Sequence, residues 1–235
     1  MSTKTRRGFL AGGMRAAGLL AGSALACDSM RPHEGFLGAM EHVNERLQRA
    51  LFDPWRLAPE LSEEEESDRD DFPAYKIGDG YPAVPAGWAL SVRGLVTRPL
   101  RLTVDDLRRL PATRVRVRHH CVEGWSAVAS WDGVRVSEIA RLAGADSRAR
   151  YVEFRSFESG YYSSWDRESA EHPQTIFAYA MGGEPLLADY GAPLRLYSAV
   201  KLGYKMVKYL YEVSFLPTRT GGYWEDRGYE WFAGV

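Results

Sequence analysis

Cysteine is nearly absent. The chain of 235 residues holds two, Cys27 and Cys121, which leaves room for one disulfide at most. With no Cys-x-x-Cys-His and no set of four thiols, it has no site of its own for a c-type haem or an iron–sulfur cluster. Excess charge of one sign is also missing: 30 Lys and Arg face 31 Asp and Glu, for a net charge of −1. That balance gives no electrostatic footprint for nucleic acid. No uninterrupted apolar run approaches the roughly 20 residues of a membrane-spanning helix, and no internal repeat is visible. What is present is apolar material, 45% hydrophobic and 12% aromatic residues. That is enough for one large domain or two small ones packed together.

The first residues read STKTRRGFLAGGMRAAGLLAGSALAC. Paired Arg6 and Arg7, then Phe9-Leu10, an Ala- and Gly-rich apolar stretch and a small-residue ending resemble a bacterial twin-arginine export signal. Residues 1–26 are therefore set apart from the fold. Two endings are open. Ala24-Leu25-Ala26 has the form of an A-x-A cleavage site, whereas Cys27 after small residues resembles a lipoprotein acceptor, which would make it a lipid anchor. Either ending places the mature protein in the periplasm or on the outer face of the cytoplasmic membrane. Thiols there tend to be paired or oxidised. Cys27 lies at the new terminus and Cys121 inside a dense cluster, so Cys121 reads as a metal ligand or a nucleophile.

Three segments follow: the export signal at 1–26, a helix and acidic loop at 27–72, and a main domain at 73–235. Leu37, Met40, Val43, Leu47 and Leu51 recur at helical spacing and predict an amphipathic helix over 35–51. The run SEEEESDRDD reads as a solvated loop. WALSVRGLV, TRVRVRHHC, RYVEFRSF, PQTIFAYAM, PLRLYSAV and KMVKYLYEVSF predict strands. TVDDLRRL is a short helix capped by Thr103, and VSEIARLAG is another, stopped by Gly144. The aromatic tail GGYWEDRGYEWFAGV is expected to wrap an existing core. Short helices among many strands predict an α+β fold with mixed sheets.

The stretch RVRHHCVEGWSAVASWDGV places Cys121 after His119 and His120 and before Glu123 and Trp125. CVEGW with Trp131 six residues after Trp125, then GV, is similar to the molybdopterin-binding domain of the sulfite oxidase family. The nearest pattern is that of periplasmic methionine-sulfoxide reductase catalytic subunits and their relatives. GLVTRPLRLTVDDLRRLP before the cysteine and APLRLYSAVKLGYKMVKYL after it resemble two further blocks in the same order, so the likeness runs from about Phe72 to the C-terminus. It implies a sulfite-oxidase molybdopterin-binding fold and a molybdenum–molybdopterin cofactor, with Cys121 as the protein's metal ligand. It also implies cofactor contacts at Tyr75, Ser156, Arg195 and Lys208, with backbone contacts at Met206 and Val207, and it leaves Lys201 and Lys205 evenly divided between cofactor and surface. Tyr190 stands at a further cofactor position, where it departs from the His or Asn usual before GAPLR but can still donate a hydrogen bond with a longer reach.

Glu123, two residues after Cys121, is a candidate acid for the proton that accompanies oxygen-atom transfer. His119 and His120 point to opposite faces of a strand, so one of them at most faces the site; His120 is taken as the catalytic candidate. The resemblance implies an exported enzyme transferring an oxygen atom on a small substrate, at sulfur, and exchanging electrons with a separate haem protein or cytochrome. The chain ends before the dimerisation domain usual in sulfite oxidases, which predicts a monomer. Two other readings stay open: a metal-free thiol enzyme using Cys121 with a histidine base, and a lipid-anchored binding module that keeps the fold without turnover.

Overall fold

The computed structural model describes residues 36–235. The expected export signal at 1–26 and Cys27 lie outside them. The chain forms two five-stranded sheets and a few short helices, the expected α+β architecture. In the first sheet the order is β2 (Leu100–Leu102), β1 (Leu90–Gly94), β10 (Leu210–Leu216), β5 (Tyr151–Ser156) and β6 (Tyr162–Asp166). β1 runs parallel to β10, with Val92 opposite Val213, and the other pairs are antiparallel. The second sheet orders β3 (Ala112–His120), β4 (Ser126–Arg135), β7 (Thr175–Met181) and β8 (Glu184–Pro185), with β9 (Arg195–Ser198) also on β7. All its pairs are antiparallel.

The two-residue period of a strand splits the second sheet between two cores. Phe177 and Leu196 face one core, with Val92, Phe154, Val213 and Phe215 of the first sheet. Ile176, Ala178 and Tyr197 face the other, with Val115, Val117 and Trp131. The helix α3 (Val136–Ala143) adds Ile139 and Ala143 to the first core and stops at Gly144, whose φ of 63° is the left-handed conformation expected there. The helix α2 (Val104–Arg108) opens on a reciprocal cap: the Thr103 hydroxyl accepts from the Asp106 amide, and the Asp106 carboxylate accepts from the Thr103 amide.

Three features differ from expectation. β4 and β6 were not foreseen as strands, because they are buried on both faces, β4 in the pattern eBBBBBiBBe and β6 in the pattern iBBBB, and such strands show no alternation. The acidic run is not simply solvated. Arg116 pairs with Glu63 at 2.9 Å and Glu66 at 3.2 Å, and Glu66 accepts from the Ser130 amide and hydroxyl at 2.8 and 2.7 Å. The Leu61 and Ser67 amides donate to carbonyls of Arg116 and Val128. Phe72, buried in the second core, ends this stitched segment.

The third difference concerns the first described helix, α1 (Phe36–Leu51). It forms where its spacing predicted, but Met40, Val43, Leu47 and Leu51 are 48%, 55%, 56% and 76% exposed. Its polar side faces the protein instead. Glu45 accepts two bonds from Arg219 at 2.7 and 2.9 Å, and the Gln48 side chain accepts from the Gly234 amide.

Candidate active site

The β3–β4 hairpin carries the thiol. Along β3 the alternation turns His119 inward, 6% exposed, and His120 outward. The Cys121 amide then donates to the Trp125 carbonyl at 3.0 Å and the Gly124 amide to the Cys121 carbonyl at 3.1 Å. Gly124 closes this loop with a φ of 91°, a conformation glycine adopts without penalty. Cys121 is thus held half-buried at a cleft wall, its Sγ 3.9 Å from Glu123 Oε2. Trp125 Nε1 donates to the same carboxylate oxygen at 3.1 Å and fixes its direction. Burial pushes the thiol's pKa up, an effect a bound metal ion reverses.

The cleft holds about 1020 Å³ of atom-free space including its mouth. Segments from both sheets line it: the Cys121 loop, residues 72–77, the β5–β6 turn, residues 189–195, the 203–209 stretch and the tail. Three cations line it, and two of them, Arg195 and Lys208, are drawn back from solvent while Lys76 is exposed. The Arg195 guanidinium is 5% exposed, lies 4.6 Å from the Trp131 ring and donates to the Tyr190 carbonyl at 3.1 Å. Lys208 Nζ donates to the carbonyls of Tyr75 at 2.6 Å and Asp189 at 2.7 Å. Neither is ion-paired with a carboxylate among the described residues. Burial pulls the pKa of Arg195 down to about 10, and burial with Arg195 nearby pulls Lys208 down to about 7. A buried cation with only carbonyl partners is costly unless an anion joins it.

Lys201 and Lys205 answer differently. Lys205 Nζ is ion-paired with Glu225 and donates to the Ser164 carbonyl at 3.0 Å. Lys201 stands 3.5 Å from Asp166 and donates to the Phe232 carbonyl. Both are buried and locally neutralised, and Lys205 does not reach the cleft, so its expected cofactor contact is corrected. His120 is corrected too: it is exposed and off the cleft, while His119 lines it. Val207 is packed in the first core, where its carbonyl accepts from Leu196. Ser156 is buried behind the cleft wall, and its hydroxyl accepts from the Glu158 amide at 2.9 Å; it shapes the turn rather than lining the cleft. Tyr75, Tyr190 and Met206 do line the cleft. The Tyr190 phenol, however, donates to the Arg69 and Phe72 carbonyls, and its own carbonyl is what meets Arg195.

Other wall residues gave no distinguishing signal in the sequence. Glu158 lines the cleft with its pKa raised by burial, and Tyr161 donates to the Tyr204 carbonyl at 2.8 Å. Of the five tail aromatics, Trp224 and Tyr229 reach the cleft, while Trp231 is buried and donates to Ser164 Oγ at 2.9 Å. His119 sits in an aromatic stack, 5.6 Å from Trp125 and 6.0 Å from Tyr197 between ring centroids. Gly203 makes room for it, since a Cβ there would lie 2.6 Å from His119 Nε2. Burial and the Arg195 charge lower its pKa to about 3, so the ring is neutral.

Among the described residues no group of three or more His, Cys, Asp or Glu could hold a metal ion. Cys121 has one bond to offer, and a soft metal there needs its remaining ligands from a cofactor. A cofactor that carries such a metal together with an anionic phosphate suits both the thiol and the two unpaired cations. That chemistry defines a class, the pterin-based molybdenum oxidoreductases. The chain belongs to the family described as "Oxidoreductase molybdopterin binding domain", which matches residues 79–224.

The chain is 41% identical to the candidate protein-methionine-sulfoxide reductase subunit YedZ1 of Azospira oryzae over 232 residues, 97% of this chain and 87% of that one. It is 33% identical to the protein-methionine-sulfoxide reductase catalytic subunit MsrP of Xanthomonas campestris, over 59% of this chain and 48% of the relative, so it spans about half that protein's length. The sulfane dehydrogenase SoxCD of Paracoccus pantotrophus shares the fold, with a TM-score of 0.53 and 21% identity over 56% of this chain and 38% of that one. The protein is thus an enzyme, an oxidoreductase whose cofactor is molybdopterin.

Proposed function

We propose that this oxidoreductase removes an oxygen atom from an oxidised sulfur centre, a sulfoxide of the methionine type. It acts outside the cytoplasmic membrane after twin-arginine export, with electrons from a separate haem protein or cytochrome. The names of the relatives support the sulfur chemistry, and the first residues support export. The balanced reaction converts sulfoxide, two electrons and two protons into sulfide and water. When bound, molybdopterin supplies a molybdenum centre that changes oxidation state by two while exchanging an oxygen atom.

The chain's own residues have separable tasks. Cys121 offers the thiolate that fastens the metal. Arg195 and Lys208 neutralise the phosphate, the guanidinium by a planar fork and the ammonium as a point charge. Glu123, held by the Trp125 indole and 3.9 Å from the cysteine sulfur, is the acid–base group positioned beside the reacting centre. Tyr75, Trp224 and Tyr229 give the mouth an apolar, aromatic lining suited to a thioether side chain.

The observation that carries this reading is the pairing, in one cleft, of a lone thiol with buried Arg195 and half-buried Lys208, neither of which has a carboxylate partner among the described residues. The test is molybdenum and pterin content beside turnover of a methionine sulfoxide, for the parent and for Cys121→Ala. One molybdenum per chain is expected in the parent, with its sulfur-ligated spectroscopic signature. The variant is expected to lose that signature and at least about a thousand-fold in turnover. Unchanged turnover in Cys121→Ala refutes the mechanism. Parent turnover on sulfite but not on sulfoxides refutes the substrate class alone.

A further inference from the structure

We infer that α1 is a membrane-surface helix that lays its apolar stripe on anionic lipid and holds the catalytic domain against the bilayer. At 100° per residue, Met40, Val43, Leu47 and Leu51 share one side of the helix. The side that touches the protein, through Glu45 and Gln48, is turned well away from it. The stripe is about half exposed or more at every position, and Trp55, four residues past the helix, is 78% exposed. An amphipathic helix ordinarily buries its apolar side against its own domain; this one is pinned by its polar side.

The pinning is specific. Arg219 holds the Glu45 carboxylate with two bonds, and Gln48 takes the Gly234 amide. Just past the helix, the Phe52 ring meets Phe232 edge-on at 5.7 Å. The apolar side therefore stays outward in the folded protein.

Charge and chain length select lipid as the occupant. Glu45, one of two acids on the helix, is turned inward and neutralised by Arg219. Arg46 is exposed and lies beside Val43 at the edge of the stripe, where its long stem can lie along it and its head reach lipid phosphates; Arg49, on the far side, stands 3.8 Å from Glu45. Trp55 supplies the amphipathic ring favoured at the headgroup level. Cys27, the candidate anchor residue, is nine positions before Phe36, so an extended connection spans at most about 32 Å. A single acyl chain gives only marginal, reversible binding, and stable attachment takes a second element. The helix is that second element, and it also works without the first.

The measurement is flotation of the full-length protein with phosphatidylglycerol vesicles and, separately, phosphatidylcholine vesicles. It is made on a Cys27→Ser background, so that no acyl chain contributes. Val43→Glu/Leu47→Glu is compared with the parent. Both positions are exposed, and turnover with a soluble dye donor is expected to be unchanged. The parent should float with anionic vesicles, less with zwitterionic ones, and the double variant should bind at least about ten-fold more weakly. Equal flotation of parent and variant, or no flotation of the parent, overturns the inference. A parent that sediments as a dimer and becomes monomeric in the variant also overturns it, by assigning the stripe to a second copy of the chain.

Discussion

At the scale of single residues, the four lysines and arginines of the 195–208 stretch look alike in sequence and behave differently in the fold. Lys201 and Lys205 spend their charge on Asp166 and Glu225; Arg195 and Lys208 have only carbonyls. The distinction lies in partners contributed by β6 and the tail, 35 positions before Lys201 and 20 after Lys205, and no local spacing encodes it. It has a consequence in the cofactor-free protein. The pKa of Lys208 falls from 10.5 in the unfolded chain to about 7 in the folded one. Between those values the unfolded state binds more protons, so this group makes stability rise with pH through that window. Lys208→Met should remove the dependence, so that the stability of parent minus variant, measured by urea unfolding of apoprotein, climbs from pH 7 to pH 10. Added phosphate monoester should flatten that slope by pairing the ammonium. A slope identical in parent and variant would mean that Lys208 titrates normally and is not a poised anion site.

At the scale of elements, local signals located most of the fold. Thr103 and Gly144 mark helix ends by mechanisms that need only neighbouring residues. β3 alternates because one side of it is covered and the other is partly open. β4 and β6 escaped notice because they are buried on both sides, which erases the two-residue period. The acidic segment was misread for a related reason: its worth depends on Arg116 and Ser130, more than fifty positions later. Glu66→Ala separates that structural role from catalysis. It leaves the Ser130 amide and hydroxyl without their acceptor and frees Arg116 from one of two carboxylates. The expected cost is about 1–3 kcal/mol of unfolding free energy, read from denaturant midpoints of apoprotein. Molybdenum content and turnover at 25 °C should stay within about two-fold of the parent. A variant of parental stability would show that the segment only rests on the sheet.

At the scale of the whole molecule, the thiol cluster was legible because its residues sit within a few positions of one another. The cleft was not, because its walls come from six separate stretches belonging to both sheets and the tail. A ligand in such a place ties together elements that the chain otherwise connects only through the two cores. Binding to the folded state alone stabilises it by RT ln(1 + [L]/Kd), about 4 kcal/mol at a thousand-fold excess over Kd. For a domain of this size, that corresponds to a rise in Tm of roughly 8–16 °C. Holoprotein and apoprotein made without pterin synthesis should therefore differ by about this much in thermal unfolding. Hydrogen exchange should slow in the holoprotein at three separated places, the 121–125 loop, the 203–209 stretch and the tail around Trp224 and Tyr229. The β2 edge and α2, which contribute nothing to the cleft, should exchange equally in both forms. Protection confined to the cysteine loop would show that the cofactor is held by its metal alone, and that Arg195 and Lys208 do not grip its phosphate.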